Sequence, residues 1–80
     1  MKDEIREILV EHGKLSRDAR TLEDDEDLYQ VGMTSHASVN VMLALESKFN
    51  IEFPDRMLRR GVFGSISAMS AAIEQLVSAS

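Results

Sequence analysis

Residues 27–55 read DLYQVGMTSHASVNVMLALESKFNIEFPD and carry the strongest pattern in this 80-residue chain. A polar segment gives way to a long apolar run, which predicts a helix from about Ser35 to Phe49. A small hydroxyl group is therefore expected at the N-terminus of a helix. Because Thr34 or Ser35 is also an ordinary N-cap residue, the position alone does not distinguish a structural hydroxyl from a modifiable one.

The segment before this helix predicts another helix and a long loop. The first helix is expected over residues 2–12, and Gly13 would end it. Its apolar face would contain Ile5, Ile8, Leu9 and His12. Residues 14–34 show no clear period, so we expect a loop that scattered apolar side chains hold against the core. These anchors are Leu15, Leu22, Leu28, Val31 and Met33.

The segment after the central helix predicts two further helical elements. A short turn or helix is expected after Pro54, around residues 56–60. A last helix should begin after Gly64, with Ser65 as its N-cap. Its core-facing side chains would be Ile66, Met69, Ile73, Leu76 and Val77.

The central helix is predicted to have a buried and an exposed face. Val39, Met42, Leu45 and Phe49 share an arc at about 100° per residue and are expected to be buried. The opposite sector would be a docking surface that begins at the serine. It contains His36, Asn40 and Ser47, with Leu43 at its edge.

Composition predicts one all-α domain over residues 1–80. The apolar fraction is 44%, and the chain has no Trp and no Cys, so disulfides and thiolate metal sites are excluded. The net charge of −5 argues against nucleic acid, since phosphate binding needs clustered basic side chains. No apolar run reaches the roughly 18 residues of a membrane span. We expect a cytoplasmic monomer that does not insert into membranes.

Ser35 lacks the neighbours that a catalytic serine needs. A nucleophilic serine requires a base within hydrogen-bond reach. His36 is adjacent along a helix and points about 100° away, and His12 is expected on the core side of the first helix. The chain also lacks a Gly-x-Ser-x-Gly elbow. We therefore expect no catalytic residue in the chain.

The ordered set of motifs in residues 27–55 resembles the acyl carrier protein family. The set comprises Asp27-Leu28, Gly32-Met33-Thr34-Ser35, Leu45-Glu46-x-x-Phe49 and Phe53-Pro54-Asp55. The resemblance implies a small four-helix bundle with a long first loop and a short third helix. It also implies that Ser35 bears 4′-phosphopantetheine, whose thiol holds an acyl or aminoacyl cargo as a thioester. A phosphopantetheinyl transferase using coenzyme A would install the group, a ligase would load it, and an acyltransferase or synthase would receive the cargo.

Several positions depart from the family pattern. Thr34 replaces the usual Asp before the serine, His36 replaces a Leu, and Asn40 replaces an acidic residue. Together with Ser47 and the basic residues Lys48, Arg56, Arg59 and Arg60, these changes make the docking side less negative than is usual in fatty-acid carriers. We expect a specialised carrier, and Phe53-Pro54-Asp55-Arg56-Met57-Leu58 resembles stand-alone aminoacyl carrier proteins.

Two functions are alternatives to a modified carrier: a metal site and an adaptor that is not modified. Residues 23–27, EDDED, are expected to form a solvated loop or cap, because they lack the Gly and the spacing of a calcium loop. No metal site is therefore predicted. The lost Asp also leaves open a small acidic adaptor module of carrier fold that no transferase modifies.

Overall fold

The computed structural model describes residues 1–79, in which every regular element is helical. The α-helices are α1 (Lys2–His12), α2 (Ser35–Phe49), α3 (Arg60–Phe63) and α4 (Ile66–Ala79). Two 3₁₀ turns lie at Ala19–Thr21 and Asp55–Met57. Helix α1 packs against α2 and α4, and α3 packs against α4. The predicted all-α bundle with a long first loop and a short third helix is confirmed.

One hydrophobic core joins the three long helices. The apolar side chains that each helix contributes are spaced three or four residues apart, as one buried helical face requires. The buried residues are Ile5, Ile8 and Leu9 from α1, Ala37, Val41 and Leu45 from α2, and Ile66, Met69, Ala72 and Ile73 from α4. The predicted core face of α1 is confirmed for its three apolar residues, whereas His12 is only half-buried.

Two of the predicted core residues are exposed. Val39 is 49% exposed, because the buried side chains of α2 are Ala37, Val41 and Leu45, and Val39 lies about 200° around the helix from Ala37 and Val41. Val77 is 46% exposed although it lies on the predicted face of α4. The neighbouring Leu76 is only partly buried. The predicted core-facing side of α4 is therefore buried as far as Ile73, and the core ends before the last turn of the helix.

The long loop between α1 and α2 is held against the core, as predicted. Leu22, Leu28, Val31 and Met33 are buried, and Leu15 packs against the same cluster. The backbone adds hydrogen bonds at both ends of the loop. The N–H of Leu28 donates to the carbonyl of residue 64 at 2.8 Å, and that of residue 16 to the carbonyl of Val31 at 2.8 Å.

The acidic run 23–27 forms ion pairs rather than a purely solvated loop. Asp24 accepts hydrogen bonds from Lys2 at 3.0 Å and Arg6 at 2.8 Å, and Glu26 accepts one from Arg17 at 2.7 Å. The hydrogen bond from Lys2 lowers the pKa of Asp24 below its usual value. The acidic run therefore connects the loop to the first turns of α1.

The region after α2 forms a 3₁₀ turn followed by α3, rather than one short element at 56–60. Asn50 ends α2 in the left-handed conformation, with φ of 54°, and Glu46 accepts a hydrogen bond from the N–H of Phe53 at 2.8 Å. The Phe53 and Phe63 rings then meet edge to face, with centroids 5.2 Å apart. Phe63 of α3 lines one groove together with Ser38, Val39 and Met42 of α2.

Candidate functional site

Ser35 is the first residue of α2 and is exposed. Thr34 precedes it as the N-cap, in extended conformation, and its side-chain oxygen accepts a hydrogen bond from the N–H of Ala37 at 3.0 Å. The first intrahelical bond runs from the N–H of Ser38 to the carbonyl of Thr34 at 2.9 Å. The N–H groups of Ser35 and His36 thus precede this bond and are left without an intrahelical acceptor.

The hydroxyl of Ser35 makes no hydrogen bond within residues 1–79. The nearby Ser38 hydroxyl, in contrast, donates to the carbonyl oxygen of Ser35 at 2.7 Å. His36 is exposed, and the imidazole of His12 lies 3.7 Å from Glu11 on α1. The local geometry therefore presents Ser35 to an incoming molecule and holds the neighbouring hydroxyl back.

A groove of about 330 Å³ opens beside Ser35, between α2 and the segment around α3. Its walls are mostly apolar, with two arginines and two serines. The lining residues are Tyr29, Ser35, Ser38, Val39, Met42, Leu58, Arg59, Arg60 and Phe63. The guanidinium carbon of Arg60 lies 3.9 Å from the centroid of the Tyr29 ring, within the range of a cation–π contact.

The predicted docking residues follow α2 from its N-cap onward. Thr34 and His36 are exposed at the serine end of α2. Asn40, Leu43 and Ser47 line a second groove, of about 710 Å³, between α2 and the acidic face of α1. His36, Asn40, Leu43 and Ser47 follow one another at intervals of three or four residues, so they lie on one side of α2 that leads away from Ser35.

The sequence pattern missed part of the surface that does surround Ser35. The sequence pattern predicts Val39 in the core and gives Leu58 no place beside Ser35. Arg59 and Arg60 stand out in the sequence only by their charge. The positive charge after Pro54 is the signal that the sequence offers for this surface, since the exposure of Val39 depends on which side of α2 faces the core.

The residues around Ser35 suit an anionic group esterified to its hydroxyl. The free N–H groups of Ser35 and His36 and the positive end of the α2 dipole favour negative charge at this position. Arg59 and Arg60 line the adjoining groove and add two cations. The phosphodiester of 4′-phosphopantetheine fits these features.

Residues 1–79 contain no group of three or more His, Cys, Asp or Glu side chains placed to hold a metal ion. Over the same residues, no helix combines the length and apolar character needed to cross a membrane.

Comparison with known proteins gives a consistent result. A family model described as a phosphopantetheine attachment site matches residues 3–73. The aminoacyl carrier protein of Agrobacterium fabrum is 43% identical over 77 residues, which cover 96% of this chain and 93% of that relative.

Solved structures agree in fold. One similar chain comes from a crystal structure of an engineered Bradyrhizobium japonicum glycine:[carrier protein] ligase complexed with a carrier protein from Agrobacterium tumefaciens and AMP. It has a TM-score of 0.90 and 44% identity, covering 92% of this chain and 99% of that one. The solution structure of an Agrobacterium tumefaciens protein has a TM-score of 0.78 and 42% identity, covering 98% of this chain and 94% of that one.

The family model spans most of the chain, and the relatives match it nearly end to end. The chain therefore belongs to the phosphopantetheine attachment site family and is a carrier protein, not an enzyme, that holds an acyl or aminoacyl group on a covalent 4′-phosphopantetheine arm.

Proposed function

We propose that Ser35 bears the 4′-phosphopantetheine arm and that the cargo is an amino acid. The observation that supports the attachment site is the exposed hydroxyl of Ser35, which has no hydrogen-bond partner within residues 1–79. The aminoacyl cargo is supported by the 43% identity to an aminoacyl carrier protein.

The local structure supports Ser35 over the other hydroxyls at the start of α2. The Thr34 oxygen caps the helix, and the Ser38 hydroxyl is engaged with a backbone carbonyl. Ser35 alone of these three combines exposure with a free hydroxyl. The thiol at the end of the arm holds the cargo, while residues of this chain position the phosphodiester and present it to partner enzymes.

The proposed partners follow from this role. A phosphopantetheinyl transferase would recognise the start of α2, with Thr34 and His36 beside the modified residue. A ligase of the glycine:[carrier protein] class would load the arm, by analogy with the Agrobacterium tumefaciens carrier, which is 44% identical to this chain. An acyltransferase or synthase would then receive the cargo. Asn40, Leu43 and Ser47 are proposed as further docking residues on the exposed sector of α2.

Loading of the modified protein tests the proposed cargo. The carrier, first modified by a broad-specificity transferase with coenzyme A, is incubated with the glycine:[carrier protein] ligase, ATP and glycine. We expect intact-mass spectrometry to show one glycyl group on the wild type and on Ser38→Ala, and none on Ser35→Ala. A modified wild type that accepts a fatty acid from an acyl ligase but no amino acid would overturn the aminoacyl assignment.

A further inference from the structure

Two large apolar side chains are exposed beside Ser35. Val39 is 49% exposed and Leu58 is 47% exposed, and both line the groove that Ser35 also lines. Single exposed apolar residues are common on protein surfaces, whereas neighbouring ones beside a functional residue indicate a contact surface. Packing in the core does not account for apolar residues at these two positions, because about half of each residue is exposed.

Two arginines form the rim of the same groove. Arg59 and Arg60 are exposed, and neither forms an ion pair with any residue from 1 to 79. The arginines of the first half of the chain behave differently, since Arg6, Arg17 and Arg20 each contact a carboxylate. The charges beside Ser35 are thus available to an external partner.

The Tyr29 ring orients one of these arginines. The guanidinium of Arg60 lies over the ring at 3.9 Å, and stacking leaves the N–H groups at its edge free to donate hydrogen bonds. A guanidinium held in place loses less conformational entropy on binding a carboxylate than a freely rotating one. The rim is therefore partly organised before a partner arrives.

We infer that Val39, Leu58, Arg59 and Arg60 form an arginine-rimmed patch that docks an enzyme whose apolar contact is edged by carboxylates. This inference rests on the proposed attachment at Ser35 and names the surface that the loading ligase contacts. It also reverses the charge expected from the family resemblance, in which fatty-acid carriers present an acidic face.

A protein partner fits this surface better than a second copy of the chain. Each copy carries a net charge of −5, so two copies repel at low ionic strength. The partner's carboxylates, in contrast, find unpaired guanidinium groups around an apolar centre. Such rim charges act mainly on the association rate and its dependence on salt.

Charge reversal at Arg59 provides the test, with Lys14→Glu as the matched control. Both positions are exposed, neither forms an ion pair within residues 1–79, and both substitutions change the net charge by the same amount. Lys14 lines a separate depression to which Ser35, Arg59 and Arg60 do not contribute. The measurement is the KM of the glycine:[carrier protein] ligase for each modified carrier, together with kcat.

At about 0.01 M salt we expect Arg59→Glu to raise this KM roughly tenfold with little change in kcat, while Lys14→Glu changes it less than about twofold. At about 1 M salt the difference should nearly vanish, since the Debye length falls to about 3 Å. Leu58→Ser should raise KM at both salt concentrations, because apolar burial is not screened.

Three outcomes would overturn the inference. Equal KM values for wild type and Arg59→Glu would show that the patch does not contact the ligase, and would leave the proposed aminoacyl function unaffected. A modified wild type that the ligase does not load would overturn both the patch as a ligase contact and the proposed cargo. Salt-sensitive self-association of the wild type, lost in Arg59→Glu, would assign the patch to a second copy instead.

Discussion

The first 34 residues and the remainder of the chain use their charges differently. Residues 1–34 contain ten of the fourteen acidic side chains and five of the nine basic ones, so the whole net charge of −5 falls there. Residues 35–80 contain four of each and are neutral. In the first region the ion pairs Arg6–Asp24, Arg17–Glu26 and Arg20–Glu7 connect the loop to α1 or to itself. In the second, Arg56, Arg59 and Arg60 form no ion pair with residues 1–79.

This difference separates structural charges from charges available for recognition. In the first region Glu7, Asp24 and Glu26 are paired with nearby arginines, and the acidic residues in excess of the cations carry the net charge of −5. Arg59 and Arg60 of the second region line the groove beside Ser35 and form no ion pair with residues 1–79. Net charge alone would have suggested a basic partner, whereas the distribution favours an acidic one at the functional end.

Removing a buried loop anchor should have the largest effect on stability. Leu28 is fully buried, so Leu28→Ala should lower the free energy of unfolding by about 2–5 kcal/mol. Leu43→Ala, at a 52% exposed position on α2, should change it by less than about 0.5 kcal/mol. Urea denaturation monitored by circular dichroism measures both. Equal losses for the two variants would mean that the ion pairs, and not burial, hold the loop.

Removing the N-cap of α2 should have an intermediate effect. Thr34→Ala deletes the oxygen that accepts from the N–H of Ala37 and should lower the free energy of unfolding by about 1 kcal/mol. Thr34→Asp restores both the cap and the residue usual in the family, so its thermal midpoint should match or exceed that of the wild type. A fully stable Thr34→Ala variant would show that the cap is dispensable.

Breaking the Asp24 ion pairs should have a small, pH-dependent effect. The hydrogen bond from Lys2 lowers the pKa of Asp24, so the folded state favours the ionised carboxylate. Its contribution to stability is present at neutral pH and is lost as the pH falls through the usual carboxyl range, around 4. The difference in denaturation midpoint between wild type and Asp24→Asn should therefore shrink on acidification. Asp25→Asn, which removes an exposed carboxylate without an ion pair in residues 1–79, serves as the control. A difference that grows at low pH would contradict this assignment.

Adding charge to the exposed sector of α2 should have the smallest effect. Asn40→Glu restores an acidic residue that is common at this position in the family. We expect a modest increase in the rate of exchange with fatty-acid synthase enzymes, because their docking surfaces suit acidic carriers. Exchange assays with the wild type and with Asn40→Gln provide the comparison. Unchanged rates would show that this sector does not determine partner choice.

Local features of the fold could be predicted from the sequence. The cap at Thr34, the start of α2 at Ser35 and the N-cap at Ser65 depend on short-range hydrogen bonds. The loop anchors Leu22 and Leu28 could be recognised because an apolar side chain in a long polar loop must find the core.

Features that depend on distant contacts could not be predicted. The exposure of Val39 follows from which side of α2 faces the core, and that side carries Ala37, Val41 and Leu45. Apolar residues surround α2 on most sides, so its sequence alone does not select the buried one. The stacking of Arg60 on Tyr29 joins residues 31 positions apart in the sequence. Asp24 likewise meets Arg6 only in the folded chain. The charged residues were visible in the sequence, but which of them are paired was not.

The intact mass of the carrier after transferase treatment tests the central claim, that Ser35 bears the arm. The unmodified protein is incubated with a broad-specificity phosphopantetheinyl transferase and coenzyme A. We predict the gain of one phosphopantetheine mass for the wild type and for Ser38→Ala, and an unchanged mass for Ser35→Ala. A gain that persists in Ser35→Ala would place the arm elsewhere, and an unchanged wild type would favour an unmodified adaptor of the same fold.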